Sequence, residues 1–508
     1  MQSSARVVFN TGVQYGRMLV TVGINLYTTR LILGALGAVD YGIYNLIAGI
    51  IGLMAFLNTA MSFTTQRYIS IGIAREDFHY QKDIFINSLW LHVAIGIIVI
   101  CLTEIAGFFL FEGFLNIPVE RVGIASEIYH FMIVSIFITI LNVPFSAVLI
   151  AHENFLWPSV LLIISSLLNL AIALYLQIFK GDKLLFYGMA MVVPVLFNFL
   201  LQGIYCFCKY RECRSVSLKN INSSLLREFV GFVGWNLLHA LCTMGTIQGM
   251  AVLFNLFFGS VVNAAYGIAN QVAGQVNFFA NSMLVSLNPQ IIKAEGSGDR
   301  KRMLYLSMQA SKWGFFLLAF IGLPCIFEMP AILNFWLKNV PEYTVVFCRL
   351  ILIAIMMNQL TIGLTTAVQA IGRLKFYTLV VCIIRFLVLP AGYLLLKGEA
   401  SAPVLLKAYI LFEGIASGVR LYLLKYICNM SVTEYVKCVF KKELIPVLVL
   451  VLYYGIVIHL GDNGIRFIFS IPLGILIFIG SIYWLGGVTS EEKEVIKGMF
   501  KKLKCLSK

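Results

Sequence analysis

Asn263, Asn270, Gly274, Asn277, Asn281 and Asn288 recur at intervals of 7, 4, 3, 4 and 7 residues within an otherwise apolar stretch. Those intervals place all six on one face of an α-helix, and Gln271 and Gln275 widen it. An amide both donates and accepts hydrogen bonds. One or two would serve as glue between membrane helices, whereas a stripe this long reads as the lining of a water-filled cavity. Asn236, with Trp235, His239, Thr243 and Gln248, adds polar groups from the preceding apolar segment. Asn45, with Asn58, Thr64, Thr65 and Gln66, adds them near the N-terminus.

Cations form a second set. Arg17, Arg30, Arg349, Arg385 and Lys407 lie within apolar segments or at their ends. Guanidinium groups bind phosphate and carboxylate bidentately, so arginines in a cavity suit an anionic ligand. Arg30 and Arg420 fall near segment ends, where long side chains snorkel to the interface. The carboxylates Glu104 and Glu413 could pair with these cations or take up a coupling proton or sodium ion. The chain has no GxxxxGK[ST] loop for nucleotide phosphates and no HExxH pair, so no enzymatic activity is expected. The 11 cysteines lack a His/Cys partner set at ligand spacing, so neither a metal site nor a cofactor is expected.

The elements that carry these groups follow from composition. Of 508 residues, 60% are hydrophobic and 12% charged, and mean hydropathy is +0.89. Soluble proteins carry about 25% charged residues, so a large water-soluble enzyme is excluded. Continuous apolar runs of about 20 residues read as an all-α polytopic membrane protein with about 14 spans. They start near 10, 42, 84, 124, 156, 184, 229, 262, 309, 343, 376, 402, 443 and 465. The net charge of +14 could suggest nucleic acid, but its distribution argues otherwise. Of the 38 Lys and Arg, 26 fall on the face holding both termini, 6 on the opposite face and 6 in or beside spans. By the positive-inside rule both termini are cytoplasmic. The first span reads as a retained anchor.

Residues 34–49 (GALGAVDYGIYNLIAG) match 259–274 (GSVVNAAYGIANQVAG) at seven of 16 positions without a gap. A fainter echo pairs 151–181 with 370–398. The expected organisation is an N-lobe over 1–208, a basic cytoplasmic linker over 209–228 and a C-lobe over 229–428. An additional span pair covers 429–486, and a basic amphipathic tail covers 487–508. Six spans between repeats give the lobes the same orientation, as in transporters with parallel repeats.

The twin six-helix lobes, the YGIYNLIAG/YGIANQVAG echo and NSMLVSLNPQIIKAEGSGD (281–299) resemble the multidrug/oligosaccharidyl-lipid/polysaccharide (MOP) exporter superfamily. Fourteen spans and high basicity look most like its Wzx-type O-antigen flippases. The resemblance implies a V-shaped bundle, like those of the multidrug MATE carriers and the lipid II flippases, that rocks to expose a cationic cavity to each membrane face. The implied substrate is an undecaprenyl-diphosphate-linked oligosaccharide crossing the bacterial inner membrane. Other polysaccharide-assembly membrane proteins and membrane lipids are the implied partners, with no nucleic acid. In the related lipid II flippases, first-helix arginines contact the diphosphate, and Arg17 matches that placement. The last two spans would correspond to a pair that forms a groove for the lipid tail. The alternative within the superfamily is a Na+- or H+-coupled multidrug antiporter, which would present carboxylates and aromatics to its cavity.

Overall fold

The computed structural model describes residues 3–52, 55–111, 117–214, 223–337, 340–459, 466–485 and 487. The expected tail beyond residue 487 and the middle of the basic linker lie outside them. Every regular element is helical: α1 (Ser3–Gly52), α2 (Ala55–Ala74), α3 (Phe78–Phe109), α4 (Val119–Ala151), α5 (Leu156–Ile178), α6 (Lys183–Ala190), α7 (Val192–Lys209), α8 (Ser223–Gly296), α9 (Arg300–Trp336), α10 (Thr344–Gln359), α11 (Ile362–Ile371), α12 (Leu374–Phe386), α13 (Val388–Lys397), α14 (Pro403–Cys428), α15 (Val432–Tyr435), α16 (Lys441–His459) and α17 (Arg466–Trp484). Local signals fix several starts. The Asp77, Asp182 and Asp299 carboxylates accept the free amides at the beginnings of α3, α6 and α9, as an N-cap should.

Among the described residues, ten helices are long and apolar enough to cross a membrane, against the fourteen expected. The other four expected positions also fall on helices; the second arm of α8 and α14 carry more polarity, and the second arm of α1 with α2 runs across residues outside the description. The four are the second arm of α1 with α2, the second arm of α8 with its amides, α14 with Lys407, Glu413, Arg420 and Lys425, and α16, which opens Lys441-Lys442-Glu443. The chain is a multi-pass membrane protein.

Two compact units divide the chain, residues 10–237 and residues 238–508 with 1–9. The division falls inside α8, past the basic linker. In the N-unit, α4 is central and packs against α2, α3 and α7. In the C-unit, α10 packs between α9 and α14, and α17 and α16 pack on α9 and on each other.

The repeat has a structural signature. Both α1 and α8 are pairs of helices joined across a glycine in a backbone region closed to L side chains, Gly37 (φ 76°, ψ 171°) and Gly259 (φ 80°, ψ −171°). Only glycine occupies that region without strain. The ungapped match sets Gly34 against Gly259, whereas the break in the first copy falls at Gly37. Tyr41 therefore follows its break by four residues and Tyr266 by seven.

Candidate functional site

The second arm of α8 has two unlike faces. Ala265, Tyr266, Ala269, Ala273, Val276 and Ala280 are buried in the C-unit core. On the other side Gln271, Gln275 and Asn281 are exposed, and Asn263, Asn270 and Asn277 are half-buried. Asn270 donates to the Tyr266 carbonyl at 3.1 Å. Gln271, Gln275, Asn277 and Asn281 have no hydrogen-bond partner among the described residues. Asn288, at the end of the stripe, turns inward and accepts from the Thr366 hydroxyl at 3.0 Å. The expected amide stripe thus exists, and most of it points away from its own unit's core. Unbonded amides are costly in hydrocarbon, and this face carries hydrogen-bonding groups that no described residue of its own unit uses.

In the N-unit, Arg17 is half-buried on α1 and has neither an ion-pair nor a hydrogen-bond partner among the described residues. Gln14, one turn earlier, is buried. Arg30 and Asn45 are exposed. Several other polar groups of this unit have partners within it. Thr64 and Thr65 are fully buried and bond the carbonyls of Ala60 and Met61, and Thr65 also meets the Ser88 hydroxyl at 2.8 Å. Asn236 is buried and donates to the Phe232 carbonyl at 3.1 Å. Glu104 pairs with His130 at 3.1 Å, both partly exposed.

The C-unit treats its cations differently. Arg385 of α12 is buried, donating to Glu413 of α14 at 2.9 Å and to the Asn358 side chain at 2.8 Å. Arg420 is fully buried and bonds the same Asn358 oxygen at 2.7 Å and the Thr361 hydroxyl at 3.1 Å. That corrects the expectation that Arg420 snorkels. Glu413 and Arg420 are seven residues apart on one face of α14, and α10 supplies the amide that both guanidinium groups share. Two guanidinium groups meet at Asn358 and only Arg385 bonds the carboxylate, an excess of one positive charge, and Nε of each, with the second Nη of Arg420, has no bonding partner among the described residues. Arg349 has a structural task. Pro330 lacks an amide hydrogen, so the Ile326 carbonyl loses its helical donor; Arg349 Nε takes it at 2.8 Å. Lys407 is exposed.

Outside the apolar segments, Arg121 holds Asp182 at 2.6 Å and Asp40 at 2.9 Å. Burial pushes both carboxyls up. For Asp182 the Leu185 amide and Arg121 outweigh it and hold the group below the usual carboxylate range. For the more buried Asp40 burial wins over Arg121, and nearby Asp182 adds to the rise.

Sequence reasoning missed Asn358 and Thr361, which belong to no periodic stripe. It also missed Glu443 and Lys312, both buried, because charges at span ends read as loop charges.

No protein-family model matches the sequence, and no curated protein matches it. Solved structures do. A MATE transporter point mutant superposes with a TM-score of 0.74 at 15% identity, covering 84% of this chain and 97% of that one. An outward-facing multidrug resistance MATE family transporter of the MOP superfamily gives 0.71 at 14% identity, covering 84% and 95%. A MOP superfamily transporter from Pyrococcus furiosus, reported with a binding pocket of reverse polarity that suggests a different function, gives 0.71 at 14% identity with the same coverage. The chain has the fold of the MATE transporters of the MOP superfamily.

Proposed function

We propose that this chain is a flippase that carries an undecaprenyl-diphosphate-linked oligosaccharide, such as an O-antigen or capsular repeat unit, across the bacterial inner membrane by alternating access. The observation that carries the reading is Arg17, a half-buried guanidinium on α1 with no counter-charge among the described residues. An uncompensated cation in a membrane helix attracts a diphosphate and rejects a cationic drug. The free amides of α8 are suited to sugar hydroxyls, and the polyprenyl tail stays in lipid. The Lys/Arg distribution supports cytoplasmic termini, so the substrate is collected from the inner leaflet. Glu104, held only by a partly exposed histidine, is the first candidate for a coupling H+ or Na+. Other polysaccharide-assembly membrane proteins are the partners in this reading.

Reconstituted protein, given fluorescent diphosphate-linked glycan, is expected to move label between leaflets faster than protein-free vesicles. A charge-assisted hydrogen bond contributes about 1.5–3 kcal/mol, so Arg17→Ala is expected to slow exchange roughly 10- to 100-fold. Exchange no faster than in empty vesicles would remove the flippase reading; an unaffected Arg17→Ala would remove the site assignment. The second reading, a cation-coupled multidrug antiporter, is favoured by the likeness to a multidrug resistance MATE transporter. It predicts drug resistance in a pump-deficient host. It also needs an acidic cavity group, and Glu413 is already compensated by Arg385.

A further inference from the structure

A cavity of about 350 Å³ lies within the C-unit between α9, α10 and α16. Its wall includes Phe315, Leu323, Met356, Met357 and Val447, and Glu443 is the one ionisable residue lining it. Glu443 is 2% exposed, and neither carboxylate oxygen has a hydrogen-bond partner among the described residues. A carboxylate can accept about four hydrogen bonds, and one that accepts none in an apolar surrounding is costly. Lys312 of α9, 1% exposed, is the basic group close enough to act on it. The slot runs along α16 from Glu443 to Val451, eight residues or about 12 Å of helix. It is thus long and apolar, with an acid at one end.

We infer that this slot binds a single-chain amphiphile bearing a primary ammonium group, its alkyl chain along Val447 and Val451 and its ammonium on Glu443. The carboxylate oxygens are covered in the structure, so binding requires the Glu443 side chain to turn them into the slot. A primary ammonium brings three donors to oxygens that have none, while Lys312 remains beside them. A quaternary ammonium of equal length fits the slot but has no N–H to give, and a sulfate or phosphate head meets the carboxylate's repulsion. That last property separates this slot from a groove for a diphosphate-linked lipid tail. The inference is independent of the flippase reading, because no residue of the slot belongs to the amide face of α8 or lies near Arg17 in the chain.

The test is dodecylammonium binding to the full chain in lipid nanodiscs, measured by titration calorimetry against empty nanodiscs. Saturable binding is expected, at least tenfold tighter than for dodecyltrimethylammonium, with none for dodecyl sulfate. Glu443→Gln is expected to weaken it tenfold or more. Val447→Trp, which fills the slot and leaves the acid in place, is expected to abolish it. Both variants are first checked for an unchanged melting profile; should Glu443→Gln fail to fold, Val447→Trp and the three-probe series decide. Equal affinity for dodecyl sulfate, or unchanged binding in a folded variant, overturns the inference. Leaflet exchange of the labelled glycan is followed in parallel, so failure of that activity is read separately.

Discussion

Arg17 in the N-unit and the Arg385–Arg420 pair in the C-unit are the same chemical group in apolar helices, kept in opposite ways. Arg17 is half-buried and has no partner among the described residues. The other two are at most 6% exposed and share Asn358, and Arg385 also pairs with Glu413. A buried ion pair adds little net stability, but breaking one is severe, because the survivor is left charged in a poor solvent. The pair therefore belongs to the architecture of its unit, whereas Arg17 has no such tie among the described residues.

The sharpest way to break this contrast is Glu413→Gln, which leaves two buried guanidinium groups without a carboxylate. It is expected to cost about 3–5 kcal/mol, read as a drop in the thermal unfolding midpoint of the purified protein. Arg17→Ala is expected to stay within about 0.5 kcal/mol in the same measurement while impairing exchange. Equal loss from both would erase the distinction. Next in size, Gly259→Ala and Gly37→Ala place a side chain in a backbone region kept for glycine, at about 1–3 kcal/mol each, although the space around both is open.

Arg349→Met strands the Ile326 carbonyl beneath Pro330 and is expected to cost about 1–3 kcal/mol. Adding Pro330→Ala restores the helical amide and should recover most of that loss, a coupling that a double-mutant cycle reads directly. If Arg349 acted on substrate instead, the second substitution would rescue nothing.

The smallest effect concerns pH. Because the folded-state pKa of Asp182 is depressed, its stabilising contribution is present above the unfolded value, about 3.9, and is lost as pH falls through the folded value. Asp182→Asn should then differ from wild type by less than about 1 kcal/mol at neutral pH, the gap closing in acid. Asp40, shifted the other way, contributes with the opposite sign, so the double variant should flatten the profile further.

The helical class and the amide face of α8 were legible because both rest on periodicity along one chain, and the packing of Ala265, Ala269 and Ala273 against the core follows the same period. The state of the cations was not. Arg385 finds Asn358 and Glu413 about 28 positions away in either direction, and Arg420 reaches back to Asn358 and Thr361. Such partners are set by how α10, α12 and α14 pack, which no local spacing encodes. The interval between Glu413 and Arg420 was the available clue.

The two glycine breaks have a geometric consequence. Tyr41 and Tyr266 begin the same Tyr-Gly-Ile-x-Asn phrase, yet they stand four and seven residues past their breaks. Three residues of α-helix amount to about 4.5 Å of rise and about 300° of rotation. Measured from its own break, the phrase in one arm is advanced by most of a screw turn relative to the other, so matching side chains leave the two arms in different directions. A duplicated part is in this case not an interchangeable one: the arms share a vocabulary but are cut to different threads.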